Sequence, residues 1–192
     1  MIAIVRYNAG NVASVVNALR RLGQSGVVTD DPAALQAAEK VIFPGVGAAG
    51  PAMQYLRERQ LDIVLAGLRQ PVLGICLGLQ LLCRHSEEDD TPCLGIFDAE
   101  VRKFPAGAPV PHMGWNNLYD GSGPLLAGLT EAEDLYFVHS FYATTSPHTA
   151  ARCDYLLPFS AVLQKENFFA TQFHPEKSAG AGVKILKNFL AL

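Results

Sequence analysis

Three times along this chain a short apolar run without polar alternation passes through glycine-containing turn chemistry into a segment of helical periodicity. The first is Ile2-Ala3-Ile4-Val5, followed by Asn8-Ala9-Gly10-Asn11 and then by Val12, Val15, Val16, Leu19 and Leu22, with Gly23 placed to end the helix. The second runs from Val41-Ile42-Phe43 through Pro44-Gly45-Val46-Gly47 to a helix from about Pro51, and the third from Val72–Ile75 into Leu77–Leu82. Strands that are apolar on both faces need covering on both faces, so the expected fold is α/β, a mostly parallel sheet between helical layers.

The remainder adds to that frame. From about Leu94 to Tyr142 glycine and proline become frequent, and runs such as Tyr136-Phe137-Val138 predict a small additional β region, part of it antiparallel. Ala161–Gln164 and Phe168–Phe173 read as a hairpin joined by Lys165-Glu166-Asn167, and Val183–Leu190 as a closing amphipathic helix. The acidic run Ser86–Thr91 reads as a solvated loop. No repeat or linker interrupts residues 1 to 192, so one domain of flavodoxin-like architecture is expected.

Composition excludes several classes. A formal net charge of -3 with scattered Lys and Arg provides no basic field for a phosphate backbone, which argues against nucleic acid as a partner. Cys76, Cys83, Cys93 and Cys153 form no C-x-x-C pair and no cysteine–histidine ladder, so neither a metal nor a cofactor is expected. Free thiols and the lack of a long apolar stretch fit a cytoplasmic protein with no membrane segment.

The sharpest local signal is Gly74-Ile75-Cys76-Leu77-Gly78-Leu79-Gln80, a buried strand turning into a helix with cysteine at the junction. Glycines on either side allow a strained turn and a close approach of neighbouring backbone, and the helix N-terminus favours a thiolate. The bland alternative is a small core residue, the role expected of Cys83 and Cys153. A nucleophile needs a base and an orienting group, and Phe173-His174-Pro175-Glu176 contains both. In an extended segment residues i and i+2 share a side, which would bring the Glu176 carboxylate to the His174 ring; the alternative is a surface loop. Glycines in Pro44–Gly47, Gly47 among them, would let backbone N–H groups face the reacting carbonyl as an oxyanion hole, with the Leu77 N–H as a second donor; the alternative is a structural turn. With no G-K-[ST] following, it is not a P-loop.

Together these three ordered motifs resemble the class I (triad) glutamine amidotransferases. Tyr7-Asn8-Ala9-Gly10-Asn11, Pro111-His112-Met113-Gly114-Trp115-Asn116 and Tyr136-Phe137-Val138-His139-Ser140 are similar to the branch formed by glutaminase subunits of imidazole glycerol phosphate synthases, along essentially the whole chain. The resemblance implies Cys76 as nucleophile, His174 as acid/base and Glu176 as its orienter. It implies glutamine-holding positions at Gly47, Gln80, Glu88, His139, Ser140 and Phe141. It places Asn11, Tyr136 and Lys177 toward a separate cyclase subunit with a (β/α)8 barrel, with which the chain would form a heterodimer and to which it would pass ammonia for histidine biosynthesis. Arg6, Leu79 and Phe141 depart from the residues usual at their positions, and Phe141 lacks the phenol hydroxyl usual there. A glutaminase subunit of another pathway, or a thiol protein on the same kind of sheet, is the competing reading.

Overall fold

In the first strand Ile2 and Ile4 join one buried cluster and Ala3 and Val5 another, so the two-residue period of a strand sends apolar side chains to both faces. The computed structural model describes residues 1–192, and its first half repeats that arrangement. The elements are β1 (Ile2–Val5), α1 (Val12–Arg21), β2 (Gly26–Thr29), α2 (Pro32–Ala37), β3 (Lys40–Gly45), α3 (Ala49–Glu58), α4 (Leu61–Ala66), β4 (Val72–Cys76) and α5 (Leu77–Leu82). The second half holds β5 (His85–Ser86), β6 (Thr91–Pro92), β7 (Glu100–Lys103), β8 (His112–Asn116), β9 (Leu135–His139) and β10 (Phe141–Ala143). It closes with β11 (Thr149–Tyr155), β12 (Leu157–Lys165), β13 (Phe168–Thr171) and α6 (Ala179–Ala191).

Seven strands form the main sheet in the order β11-β12-β13-β4-β3-β1-β2. The neighbours from β13 to β2 pair in parallel, and β11 and β12 extend the sheet antiparallel. Residues of α1 and α6 pack with Ile42, Leu73 and Ile75 on one face, and α2 to α5 pack with Val41, Phe43 and Val72 on the other. There are two smaller sheets, β10-β7-β5-β6 and the β8–β9 pair, and their strands β9 and β10 meet the C-terminal end of β4 and the start of α5 through Val138 and Phe141. In an open α/β sheet that edge is where a ligand crevice forms.

The expected parallel sheet, the extra antiparallel β region and the β12–β13 hairpin are all present. Three expectations need correction. Pro44 and Gly45 do not follow β3 but belong to it, paired with Ile75 and Cys76 of β4. The acidic run is not a free loop: Ser86 and Thr91 are buried in a two-strand pair around a 3-10 turn at Glu88–Asp90. The closing helix starts at Ala179, four residues before the apolar period becomes visible, because Gly182 packs against the carbonyl of Pro175. No helix is long and apolar enough to cross a membrane.

Candidate active site

Cys76 is the last residue of β4 and sits where α5 begins, with φ 54° and ψ -105°. A non-glycine residue in that conformation costs on the order of 1–3 kcal/mol and persists only because the surroundings impose it. The surroundings are tight: a Cβ on Gly78 would lie 1.8 Å from the carbonyl oxygen of Phe43, and one on Gly74 would lie 2.7 Å from a Leu82 methyl. Glycines at these two places let α5 dock directly onto β3 and β4, and the turn holds the sulfur at the strand tip.

His174 follows β13 in extended conformation, and Pro175–Lys177 form a 3-10 turn. His174 Nδ1 lies 2.8 Å from Glu176 Oε1, both side chains buried. The expected pair therefore exists, but through a turn and not through extended i, i+2 geometry. The turn is pinned from outside: the His174 amide donates to the Tyr136 carbonyl, and Ser178 Oγ donates to the His174 carbonyl and accepts from the Tyr136 amide. Burial acts most strongly on the His174 imidazole and lowers its pKa, but the hydrogen-bonding and charge effects of Cys76 and Glu176 together outweigh it and raise the pKa to about 9. Its Nε2 has no hydrogen-bond partner of good geometry. The coupling to Cys76 is thus one of proximity and charge in a site where the bond has yet to tighten.

A cleft of about 290 Å³ opens over Cys76, lined among others by Gly47, Leu77, Gln80, Glu88, His139, Ser140 and Phe141. Every glutamine-holding position implied by the resemblance therefore borders one cavity, together with both expected oxyanion donors. Gly47 has φ 130° with open space where a Cβ would be, so glycine is required there for conformation and not for room. The Leu77 amide belongs to the first turn of α5, where helix geometry leaves N–H groups free.

On the far wall Glu88 Oε2 accepts a hydrogen bond from the Ala49 amide at 2.8 Å. Burial holds its carboxyl above the usual carboxylate value, against the opposing pull of that bond. Gln80 Nε2 donates to the Phe141 carbonyl at 3.0 Å and to Gln172 Oε1 at 3.2 Å, which leaves Gln80 Oε1 as its free acceptor. Phe141 contributes its backbone oxygen, so the missing phenol does not disturb this contact.

Two neighbours of the cleft, Gln172 and His112, escaped the sequence reading. Gln172, fully buried two residues before His174, donates from Nε2 to Cys76 Sγ at 3.7 Å. His112 Nδ1 lies 3.0 Å from His139 Nε2, and His139 Nδ1 lies 2.7 Å from the Phe141 carbonyl. A carbonyl only accepts, so His139 carries its proton on Nδ1 and His112 donates to its Nε2. Desolvation drives both imidazoles toward neutrality, His139 to about 3 and His112 to about 4. Their positions in alternating strands β8 and β9 gave a buried-face signal, but nothing in the spacing paired them. Of the residues expected at a partner surface, Tyr136 stacks edge-on with exposed Trp115 and has the Lys177 ammonium above its ring. Asn11, by contrast, turns its amide inward and donates to Glu176 Oε1 at 2.7 Å.

A strained cysteine at a sheet's C-terminal edge, a buried histidine–glutamate pair and a cleft with free backbone donors define a thiol-dependent acyl-transfer site on an α/β frame. The family model for glutamine amidotransferase class-I matches residues 4–192, and the chain belongs to that family. Among its relatives, the imidazole glycerol phosphate synthase subunit HisH of Bacteroides thetaiotaomicron is 55% identical over 194 residues, covering 100% of this chain and 99% of that protein. The protein of the same name from Escherichia coli is 45% identical over 194 residues, with 100% and 99% covered. In fold alone, the chain resembles a glutamine amidotransferase of known crystal structure, with a TM-score of 0.77, 20% identity, and 100% of this chain and 98% of that one covered.

Proposed function

We propose that this chain is the glutaminase subunit of an imidazole glycerol phosphate synthase, a single domain that hydrolyses glutamine and delivers the ammonia to a cyclase partner in histidine biosynthesis. The observation that carries this reading is the Cys76 elbow facing a His174 imidazole held at 2.8 Å by Glu176, at the edge of a cleft of glutamine size. The full-length likeness to subunits named for that synthase supplies the pathway.

The Cys76 thiolate attacks the side-chain carboxamide carbon, and the resulting oxyanion lies between the amides of Gly47 and Leu77, each contributing about 3 kcal/mol to the transition state. His174 gives its proton to the departing nitrogen, the C–N bond breaks, and ammonia and a γ-glutamyl thioester remain. A water then loses a proton to His174 and attacks the thioester, breaking the C–S bond and regenerating thiolate and imidazolium. Glu176 holds the imidazole orientation throughout. Gln80 Oε1 and the Glu88 carboxylate are acceptors for the substrate ammonium, and His139, Ser140 and Phe141 form the wall against which its backbone lies.

Hydrolysis by itself leaves the ammonia unused, so the reading requires a partner with a (β/α)8 barrel in a heterodimer. Tyr136 and Lys177 present themselves for that contact, and the Asn11 amide reaches inward to Glu176. Glutamate release is the test: the purified chain alone should be a poor glutaminase, the complex with cyclase and its nucleotide ligand should be active, and Cys76→Ala should abolish activity in the complex. Absence of glutamine hydrolysis in the complex would sink the reading, and strong hydrolysis by the chain alone would sink its dependence on docking.

A further inference from the structure

We infer that Gln172 is a positioning residue for the nucleophile, its buried amide donating to Cys76 Sγ with one end while the other end holds Gln80 in the substrate cleft. The side chain is fixed at both ends: Nε2 lies 3.7 Å from Sγ, and Oε1 accepts from Gln80 Nε2 at 3.2 Å. Its amide orientation follows from its neighbours. Gln80 Nε2 is committed to the Phe141 carbonyl, an obligate acceptor, so the atom of Gln172 that meets Gln80 is the oxygen and the one that meets sulfur is the nitrogen.

A donor to sulfur favours the thiolate, because hydrogen bonds to a charged acceptor are roughly twice as strong as those to a neutral one. Gln172 is fully buried, and in such a place the difference is not diluted by water. His174 acts on the thiolate by charge; Gln172 acts as a fixed neutral dipole whose state does not change when His174 gives up its proton. That distinction matters after the C–N bond has broken, when the imidazole is neutral and the sulfur is still the leaving group of the next step. The same amide links sulfur to the cleft through Gln80, so the position of the substrate acceptor and that of the nucleophile are set by one side chain.

The experiment is the pH dependence of Cys76 alkylation by iodoacetamide in the full chain, alone and with the cyclase, with the labelled cysteine identified by peptide mass. The other titratable groups around Cys76 are His174, Tyr7, His139 and Glu88, and all are left in place. Gln172→Met should move the alkylation midpoint up by about one pH unit relative to the unsubstituted protein. Gln172→Glu, nearly identical in shape, should move it further; a role in packing alone predicts the reverse order, with Glu the milder change. Profiles that superimpose on that of the unsubstituted protein would overturn the inference. A readout without substitution accompanies it: the Gln172 side-chain amide resonance of nitrogen-labelled protein should move along the same pH curve as the alkylation rate, and a flat resonance also overturns it. The kinetic counterpart rests on the glutaminase reading, whereas alkylation does not. In the complex Gln172→Met should raise KM and lower kcat, while Gln172→Glu, which keeps an acceptor for Gln80, should lower kcat with KM nearly unchanged.

Discussion

His174 is a buried imidazole that the fold keeps charged. Its pKa is raised to about 9 from an ordinary 6.5, so the stability gained from its imidazolium is complete below about pH 6.5 and is lost as pH rises through about 9. Thermal unfolding measured between pH 6 and pH 10 should show that loss, and Glu176→Gln should flatten it. His112 and His139 behave in the opposite sense. Their pKa values of about 4 and about 3 mean that the unfolded chain binds protons first, so stability present above pH 6.5 falls as pH drops toward 4. His112→Gln should weaken that acid dependence, as followed by denaturant unfolding at pH 7 and pH 4.5. Cys76, His174 and Glu176 were legible in the sequence because each has a reactive side chain inside a motif with an unusual backbone demand. Gln172 and His112 were not, since a neutral amide and a strand histidine gain meaning only from what lies across from them.

At the scale of elements, the two halves of the site are held by two helices that each touch backbone through a glycine. Gly78 seats α5 on β3, with the Phe43 carbonyl 1.8 Å from where a Cβ would be; Gly182 seats α6 on the His174 turn, with the Pro175 carbonyl at 1.9 Å. A methyl at either place forces helix and backbone apart. Gly78→Ala should cost about 3 kcal/mol in denaturant unfolding. Gly182→Ala should displace the histidine turn, giving a lower kcat than the loss of stability alone accounts for, measured well below the melting temperature. The strand-to-helix junctions at β1, β3 and β4 were readable because an apolar run without alternation has few other places to go. The short elements α2, α4, β5 and β6 were not, because six-residue helices and two-residue strands carry too little periodicity to register unless, as with α5, an apolar strand and a glycine turn lead directly into them.

Across the whole molecule, the site lies where the main sheet's C-terminal edge meets the two small sheets, and the β8–β9 hairpin reaches from the cleft to the surface. His112 and His139 face inward from it, while Met113 and Trp115 on β8 are 63% and 55% exposed. Large apolar side chains left in water beside an active site are suited to a partner's surface. On the function proposed above, Trp115→Ala should leave the unfolding free energy of the isolated chain within about 0.5 kcal/mol. It should weaken binding of the proposed partner subunit by about 2 kcal/mol, roughly thirtyfold in Kd by titration calorimetry.

By itself the sequence determined the parallel frame, the glycine-flanked turn at Cys76 and the pairing of His174 with Glu176, because each rests on local rules: strand period, glycine where backbone crowds, and polar groups a few residues apart. Through motif likeness it also singled out six residues that the fold brings to the border of one cleft. Only the tertiary structure decided that the pair meets through a 3-10 turn, that Asn11 turns inward to Glu176, and that Gln172 bridges sulfur and cleft. Those contacts join residues 165, 92 and 96 positions apart. No local periodicity encodes such distances; they are fixed by the packing of two cores against one sheet.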